Sequence, residues 1–344
     1  RVRLLRVNSQ EHVLILGLHH IIADGWSMEV LYREISCGYE ARLRGEYPAL
    51  PKLVLQYSDY AAWERELLER AGQAHLEYWK KQLDGAPELL RLPIHKPRPS
   101  LRSHRGESED FKLSRELTDK LKKLGRAHGC STYMTLLTMF QILLARYSGS
   151  TDIVVGSPVA NRNHGQLENL IGPFINTLAM RTDLSHDPCV IELLQRVREV
   201  TLEAHVHQSV PFEVLVKELR PERMLGYNPV VQVVMALHRT PWETLKVSGL
   251  GVESLPVPAE TAKFDLLLMA WDHGETLYGK WEFSVDLFER ASIQKMARHF
   301  EQLIKSAIEN PAARISELEL LSDEEKTLLA ENTSVSELAD TFAF

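Results

Sequence analysis

The chain opens on alternation. Arg1-Val-Arg-Leu-Leu-Arg-Val7 places polar and apolar side chains in the near two-residue rhythm of a strand. Val13-Leu-Ile-Leu-Gly-Leu18 is then apolar at every position. A short unbroken apolar run predicts a strand buried on both faces. Leu31, Ile35 and Tyr39 follow at helical spacing, with Ser27 in the place of an N-cap. Two helices are predicted over 58–70 and 72–84. Leu92-Pro-Ile-His-Lys-Pro-Arg-Pro99 cannot be regular, because each proline fixes its own φ and restricts the residue before it.

Beyond that segment the pattern predicts a strand near 107–113 and a helix whose face carries Leu117, Leu121 and Leu124. Tyr133 to Tyr147 is apolar nearly all round, as in a buried helix. Asp152-Ile-Val-Val-Gly156 reads as a strand and Pro188 to Val206 as an amphipathic helix. Further strands are expected at 229–237, 247–254, 263–271 and 277–285. Ile293, Met296, Phe300, Leu303, Ile304 and Ala307 mark a final docking helix. Strands and helices mix without a regular βαβ rhythm, so the expected class is α+β. The expected layout is a first lobe over 1–92, a connection over 93–105, a second lobe over 106–325 and a departing linker over 326–344. The chain starts on a strand without an initiator methionine, as a piece of something longer would.

Composition narrows the function. The 344 residues carry a net charge of −7, with no basic stripe, which argues against nucleic acid as a partner. A Lys96/Arg98/Arg102/Arg105 cluster reads as a solvated linker. Cys37, Cys130 and Cys189 are too few and too scattered for a disulfide framework or a zinc spacing, so a cytoplasmic setting is the default. No apolar run approaches the ~18 residues of a membrane span.

The chemistry-bearing stretch is His19-His20-Ile-Ile-Ala-Asp24-Gly25-Trp26-Ser27, between a predicted strand and a predicted helix. Successive strand residues face opposite ways, so one histidine at most faces a site. His20 shares the parity of Leu14, Leu16 and Leu18 and lies nearer the turn. Asp24 is placed to organise the loop, and Gly25 to permit close approach by a ligand. On spacing alone, a core histidine beside a structural aspartate accounts for the stretch better than a site does. Metal binding is disfavoured: adjacent histidines chelate poorly, and His205 and His207 at i, i+2 do not share a helix face. Ser27 lacks the Gly-x-Ser-x-Gly elbow of a nucleophile.

Read whole, His19-His20-x-x-x-Asp24-Gly25-Trp26-Ser27 resembles the active-site signature of the condensation domains of non-ribosomal peptide synthetases. Tyr57-Ser-Asp-Tyr60-Ala-Ala-Trp63 is similar to that family's aromatic helix motif. Ile171-Gly-Pro-Phe-Ile-Asn176-Thr, His207-Gln208-Ser-Val-Pro-Phe212-Glu213 and Arg223-x4-Asn228-Pro229 resemble three more signatures, in the family's order.

The resemblance implies two chloramphenicol-acetyltransferase-like lobes in a V, the N-terminal one incomplete in this chain, with the histidine halfway along a tunnel. It implies amide-bond formation between two thioesters delivered on the phosphopantetheine arms of donor and acceptor carrier proteins. A following adenylation domain is implied, and no cofactor of the domain's own. His20 is then the catalytic histidine, with His19 and Gly25 supporting it and Asp24 as organiser. Trp26, Ser27, Asn176, His207, Gln208, Arg223 and Asn228 fall to the tunnel wall or lobe interface, and Tyr60 and Trp63 to helix docking. The family pattern also implies an upstream arginine paired with Asp24, so the aspartate is expected to stand unpaired here, at a cost in stability. Pro211-Phe212-Glu213 and Thr261-Ala-Lys263-Phe264-Asp265 look like the subtype that joins a D-configured donor to an L-acceptor. An epimerisation domain shares the histidine motif, and some relatives only recruit partner proteins. The intact central signatures favour condensation.

Overall fold

The computed structural model describes residues 1–219, 225–238, 245, 247–255, 260–322 and 325–327. Its centre is a six-stranded mixed sheet in the order β3-β8-β7-β6-β4-β5. These strands are β3 (Gly106–Leu113), β4 (Asp152–Val159), β5 (Asn176–Asp183), β6 (Val233–His238), β7 (Leu266–Asp272) and β8 (Leu277–Ser284). β6 runs parallel to β4 and β7, and the remaining pairs are antiparallel. The mixed sheet bears out the α+β reading.

Helices α3 (Arg115–Ala127), α4 (Thr132–Ser148), α5 (Val190–Val206) and α7 (Arg290–Glu309) contact one another and the sheet. The all-round apolar pattern of α4 has the expected result: every residue from Met134 to Leu144 is buried. Ser131 caps it, accepting from the Met134 N–H, and Gly149 ends it in the left-handed conformation. The apolar face of α7 is buried in the same core, through Ile293, Met296, Phe300, Leu303, Ile304 and Ala307.

The N-terminal segment is built differently. β1 (Val2–Arg6) and β2 (His12–Leu16) form a separate antiparallel pair. The expectation that β2 is buried on both faces fails: Leu14 is 39% and Ile15 45% exposed. An apolar strand is buried only if other elements cover its faces, and a two-stranded ribbon covers neither. Helix α1 (Gly25–Leu43) follows the motif, and α2 (Tyr57–Leu83) follows that. The two helices expected at 58–84 are one, continuous through the buried Gly72, and the burial of Tyr60, Leu76, Trp79 and Leu83 along it offsets the helix cost of the glycine. The second half of α2 joins the main core through Leu76, Trp79 and Leu83. Arg181 on β5 fastens its end, pairing with Asp152 at 2.8 Å and donating to the Gln82 and Asp84 carbonyls.

Other expectations shift. β6 starts at Val233 rather than 229, and no strand occupies the described residues of 247–254. β5 and the short helix α6 (Phe212–Leu219) were not anticipated. The basic cluster at 96–105 is not simply a solvated linker. Arg98 forms a bidentate pair with buried Asp265, and buried Arg102 donates to Asn228 Oδ1 at 3.0 Å and to the Lys263 carbonyl at 2.8 Å. No described helix is long and apolar enough to cross a membrane.

The tightest backbone packing in the sheet is at Gly279. A Cβ there would sit 2.3 Å from the Met269 carbonyl oxygen and 2.4 Å from the Phe111 ring. Gly279→Ala is expected to lower unfolding free energy by about 1–3 kcal/mol in urea melts. Gly251→Ala, with open space around its Cβ position, should change little.

Candidate active site

The histidine motif lies beyond the end of β2, so strand parity does not decide which ring faces outward. The turn decides it. His19 is occupied as a turn former: its carbonyl accepts from the Ile22 N–H at 3.0 Å and its Nδ1 from the Ile21 N–H at 3.1 Å. His20 is exposed, and no described residue hydrogen-bonds its ring. The turn, not strand parity, is what leaves the His20 ring unoccupied.

Asp24, not Ser27, caps α1, and Gly25 is the first helical residue. Asp24 Oδ1 accepts from the Ser27 N–H at 2.8 Å and from the Ser27 hydroxyl at 2.7 Å. In the first turn the Gly25 and Trp26 N–H groups have no intrahelical acceptor. Gly25 needs no unusual φ, and nothing lies within 4 Å of where its Cβ would be. Its contribution is an open approach to the helix end rather than a special turn.

The expectation of an unpaired Asp24 is overturned. Arg162, in the loop after β4, reaches Asp24 Oδ1 at 3.1 Å, and both side chains are buried, 1% and 3% exposed. Asp24 Oδ2 accepts from the Phe174 N–H at 3.0 Å. The other guanidinium nitrogen of Arg162 donates to the carbonyls of Leu167 at 2.6 Å and Leu170 at 2.7 Å. The Arg162 guanidinium lies over the Phe174 ring, 3.9 Å from its centroid. Burial pulls the guanidinium below its usual range, and Asp24 opposes this. No spacing signal flagged Arg162. The only hint was a polar Asn161-Arg162-Asn163 run placed directly after a buried strand.

Further ties cross between α1 and the loop that follows β4. The Ser27 hydroxyl accepts from the Gly172 N–H at 3.0 Å. Trp26, expected at the tunnel wall or lobe interface, donates through Nε1 to the Glu168 carbonyl at 2.9 Å. Arg33 donates to Asn169 Oδ1 at 2.6 Å. Gly172 permits the closest approach: a Cβ would lie 2.2 Å from the Tyr57 ring. The start of α1 is thus held by the 162–174 segment.

The remaining predicted residues do not gather at His20. Asn176 satisfies all four of its amide valences, with its own neighbour on β5 and the 208–212 segment. It donates to the Gln208 and Val210 carbonyls and accepts from the Thr177 and Phe212 N–H groups, the last at the start of α6. Gln208 donates through its side chain to the His205 carbonyl. His207 stacks on Tyr78, centroids 3.9 Å apart, and its Nδ1 lies 2.8 Å from that of His75. Trp79 donates to its carbonyl at 2.9 Å. Asn228 donates to the Lys263 carbonyl and accepts from Arg102. Arg223 lies outside the described residues. Tyr60 is buried, but Trp63 is 41% exposed, so only the tyrosine docks α2. Among the described residues, no three His, Cys, Asp or Glu side chains are grouped to hold a metal ion.

Two tests follow. Arg162→Met leaves Asp24 buried without its counter-charge and should cost about 3–5 kcal/mol in urea unfolding. Adding Asp24→Asn should recover part of that loss, and strict additivity would exclude a direct pair. The second concerns acid. Burial and neighbouring His75 pull His207 below the ordinary imidazole value, with Glu203 opposing. A depressed folded value means the unfolded chain binds more protons, so stability is full above pH ~6.5 and is lost as pH falls through the folded value. His207→Asn should flatten that acid-side slope in unfolding measured across pH 5–8.

The condensation-domain family model matches residues 1–330. Linear gramicidin synthase subunits C and B of Brevibacillus parabrevis are 45% and 44% identical over 99% and 96% of this chain. The chain spans only 4% and 6% of their lengths. The X-domain from teicoplanin biosynthesis superposes with a TM-score of 0.86 at 29% identity, over 93% of this chain and 74% of that one. The fold is therefore the chloramphenicol-acetyltransferase-like one that the motifs implied, and this chain belongs to the condensation-domain family of non-ribosomal peptide synthetases.

Proposed function

We propose that this chain joins a carrier-bound acyl or peptidyl thioester to the α-amine of a carrier-bound aminoacyl thioester. The amide bond forms at the donor carbonyl, the donor's thiol leaves, and the lengthened chain stays on the acceptor arm. The observation that carries the reading is the state of His20. Its ring is open, uncommitted to any described partner, and carried on a turn whose neighbouring cap is locked by a buried ion pair.

The chemistry suits that arrangement. An α-amine of pKa ~8 is largely protonated near neutrality and must shed a proton to attack. Imidazole is a suitable acceptor, and a positioned base gives ~10²–10⁴-fold. Positioning is worth more, up to ~7–11 kcal/mol when the reacting atoms are held well. His20 therefore acts first by orienting the amine and second by taking its proton. The free N–H groups at the start of α1, Gly25 among them, are candidate donors to the oxyanion. Asp24 organises the loop and makes no proton transfer, since its oxygens are all engaged.

On this reading the domain needs no cofactor of its own. Its partners are a donor carrier, an acceptor carrier and an adenylation domain in the same assembly line, and the setting is the cytoplasm. The proposed division is an N-terminal lobe part over 1–92, a connection over 93–105, a C-terminal lobe over 106–325 and a linker beyond. The Pro211–Glu213 and Thr261–Asp265 stretches support a D-configured donor.

Loaded donor and acceptor carriers mixed with the protein carrying this chain should give the joined product by mass spectrometry. His20→Ala should lower the single-turnover rate about 10²–10⁴-fold. A loss equal at every pH from 6 to 9 supports positioning, whereas loss of one ionisation from the profile supports the base. Epimerised but unextended donor would replace this reading with epimerisation, and carrier binding without either product would replace it with partner recruitment.

A further inference from the structure

Two motif segments are left unused by the chemistry at His20: the aromatic stretch of α2 and the 207–213 stretch. They meet, together with the loop after β4, around a cavity of about 240 Å³. Its walls are Tyr60, Trp63 and Glu64 from α2, Asn161 and His164 from the loop, and Ser209.

The walls are held from behind. Tyr60 is buried against Phe174, with ring centroids 4.5 Å apart. Its hydroxyl donates to Glu64 Oε1 at 2.6 Å and accepts from Asn161 Nδ2 at 3.2 Å. Trp63 meets His164 edge-on at 5.3 Å and remains 41% exposed. Asn176 grips the carbonyls on either side of Ser209, those of Gln208 and Val210. A site whose walls are already fixed loses little entropy on binding.

Its charge selects the guest. No lysine or arginine lines the cavity, and Glu64 is its one carboxylate. Arg162, stacked on Phe174 and outside the lining, is spent on Asp24 and on the Leu167 and Leu170 carbonyls. Glu64 Oε2 carries no hydrogen bond among the described residues. A carboxylate oxygen beside an open indole favours a cation and repels phosphate and carboxylate groups. The volume is below the ~300–1,000 Å³ of a whole-ligand pocket, so it admits one side-chain-sized group.

We propose that this cavity is a binding site for a short aliphatic chain tipped with a primary ammonium, held by Glu64 and Trp63. The ammonium donates to Glu64 Oε2 and lies against the indole, and the stem lies along the ring of Tyr60. The group is either the α-ammonium of an aminoacyl unit or a basic side chain on the chain being carried. The proposal does not depend on the chemistry at His20.

The test is a titration at pH 7 that follows the Trp63 indole N–H by NMR, assigned with Trp63→Phe. n-Butylammonium should give a saturable shift, with n-butyrate and n-butanol about tenfold weaker or worse. Glu64→Gln keeps an acceptor for Tyr60 and should weaken n-butylammonium about tenfold with an unchanged melting curve. Tighter binding of glycine methyl ester than of n-butylammonium would assign the α-ammonium source, and the reverse order a basic side chain. No saturable shift, equal response to n-butyrate, or an unaffected Glu64→Gln would each overturn the site. Because no carrier or turnover is involved, failure here leaves the joining reaction at His20 standing, and loss of that reaction leaves this binding standing.

Discussion

Everything at the histidine loop depends on one buried ion pair. Asp24 and Arg162 come from segments 138 residues apart in the chain, and neither has water to fall back on. A buried carboxylate is tolerable only when its oxygens are filled, and here both are: by Arg162, by the Phe174 N–H, and by the backbone and hydroxyl of Ser27. The guanidinium in turn donates through Nη1 to the carbonyls of Leu167 and Leu170. The loop that carries His20 is thereby fixed from outside, by the segment after β4, rather than by the exposed ribbon that leads into it.

That arrangement separates rigidity from reactivity. The side chains that hold the site are buried and hydrogen-bonded to one another, while the ring that would react is open. A histidine drawn into the same network would be well placed but already committed. His19 shows the alternative fate: its ring nitrogen is occupied by the turn, and only its neighbour remains available. The same logic recurs at Asn176, where one side chain fills all of its valences to shape the 207–212 loop and frees Ser209 and His207 to face other elements. Joints of this kind are made of polar side chains reaching backbone groups of distant segments. Each removes an unsatisfied donor or acceptor that a loop at an interface would otherwise leave.

The sequence was most legible where burial is complete. The apolar pattern of α4 and the spaced leucines of α3 and α7 placed those helices closely, because a core helix is set by its own side chains meeting a common interior. It was least legible where context overrides composition. The run Val13–Leu18 reads as an interior strand yet is exposed, since burial belongs to the neighbours and not to the strand. The basic residues at 98 and 102 read as solvated and are instead fastened to Asp265, Asn228 and the Lys263 carbonyl.

The sequence by itself determined the family, because the motif residues act locally: a turn, a cap and a helix start within nine positions. Only the tertiary structure supplied Arg162 as the partner of Asp24, assigned the cap to Asp24 instead of Ser27, and brought the α2 aromatics against Asn161 and Ser209. Pairings of that kind are made by side chains far apart in the chain. No periodicity records them, since the distance that matters is closed only when the strands between have folded.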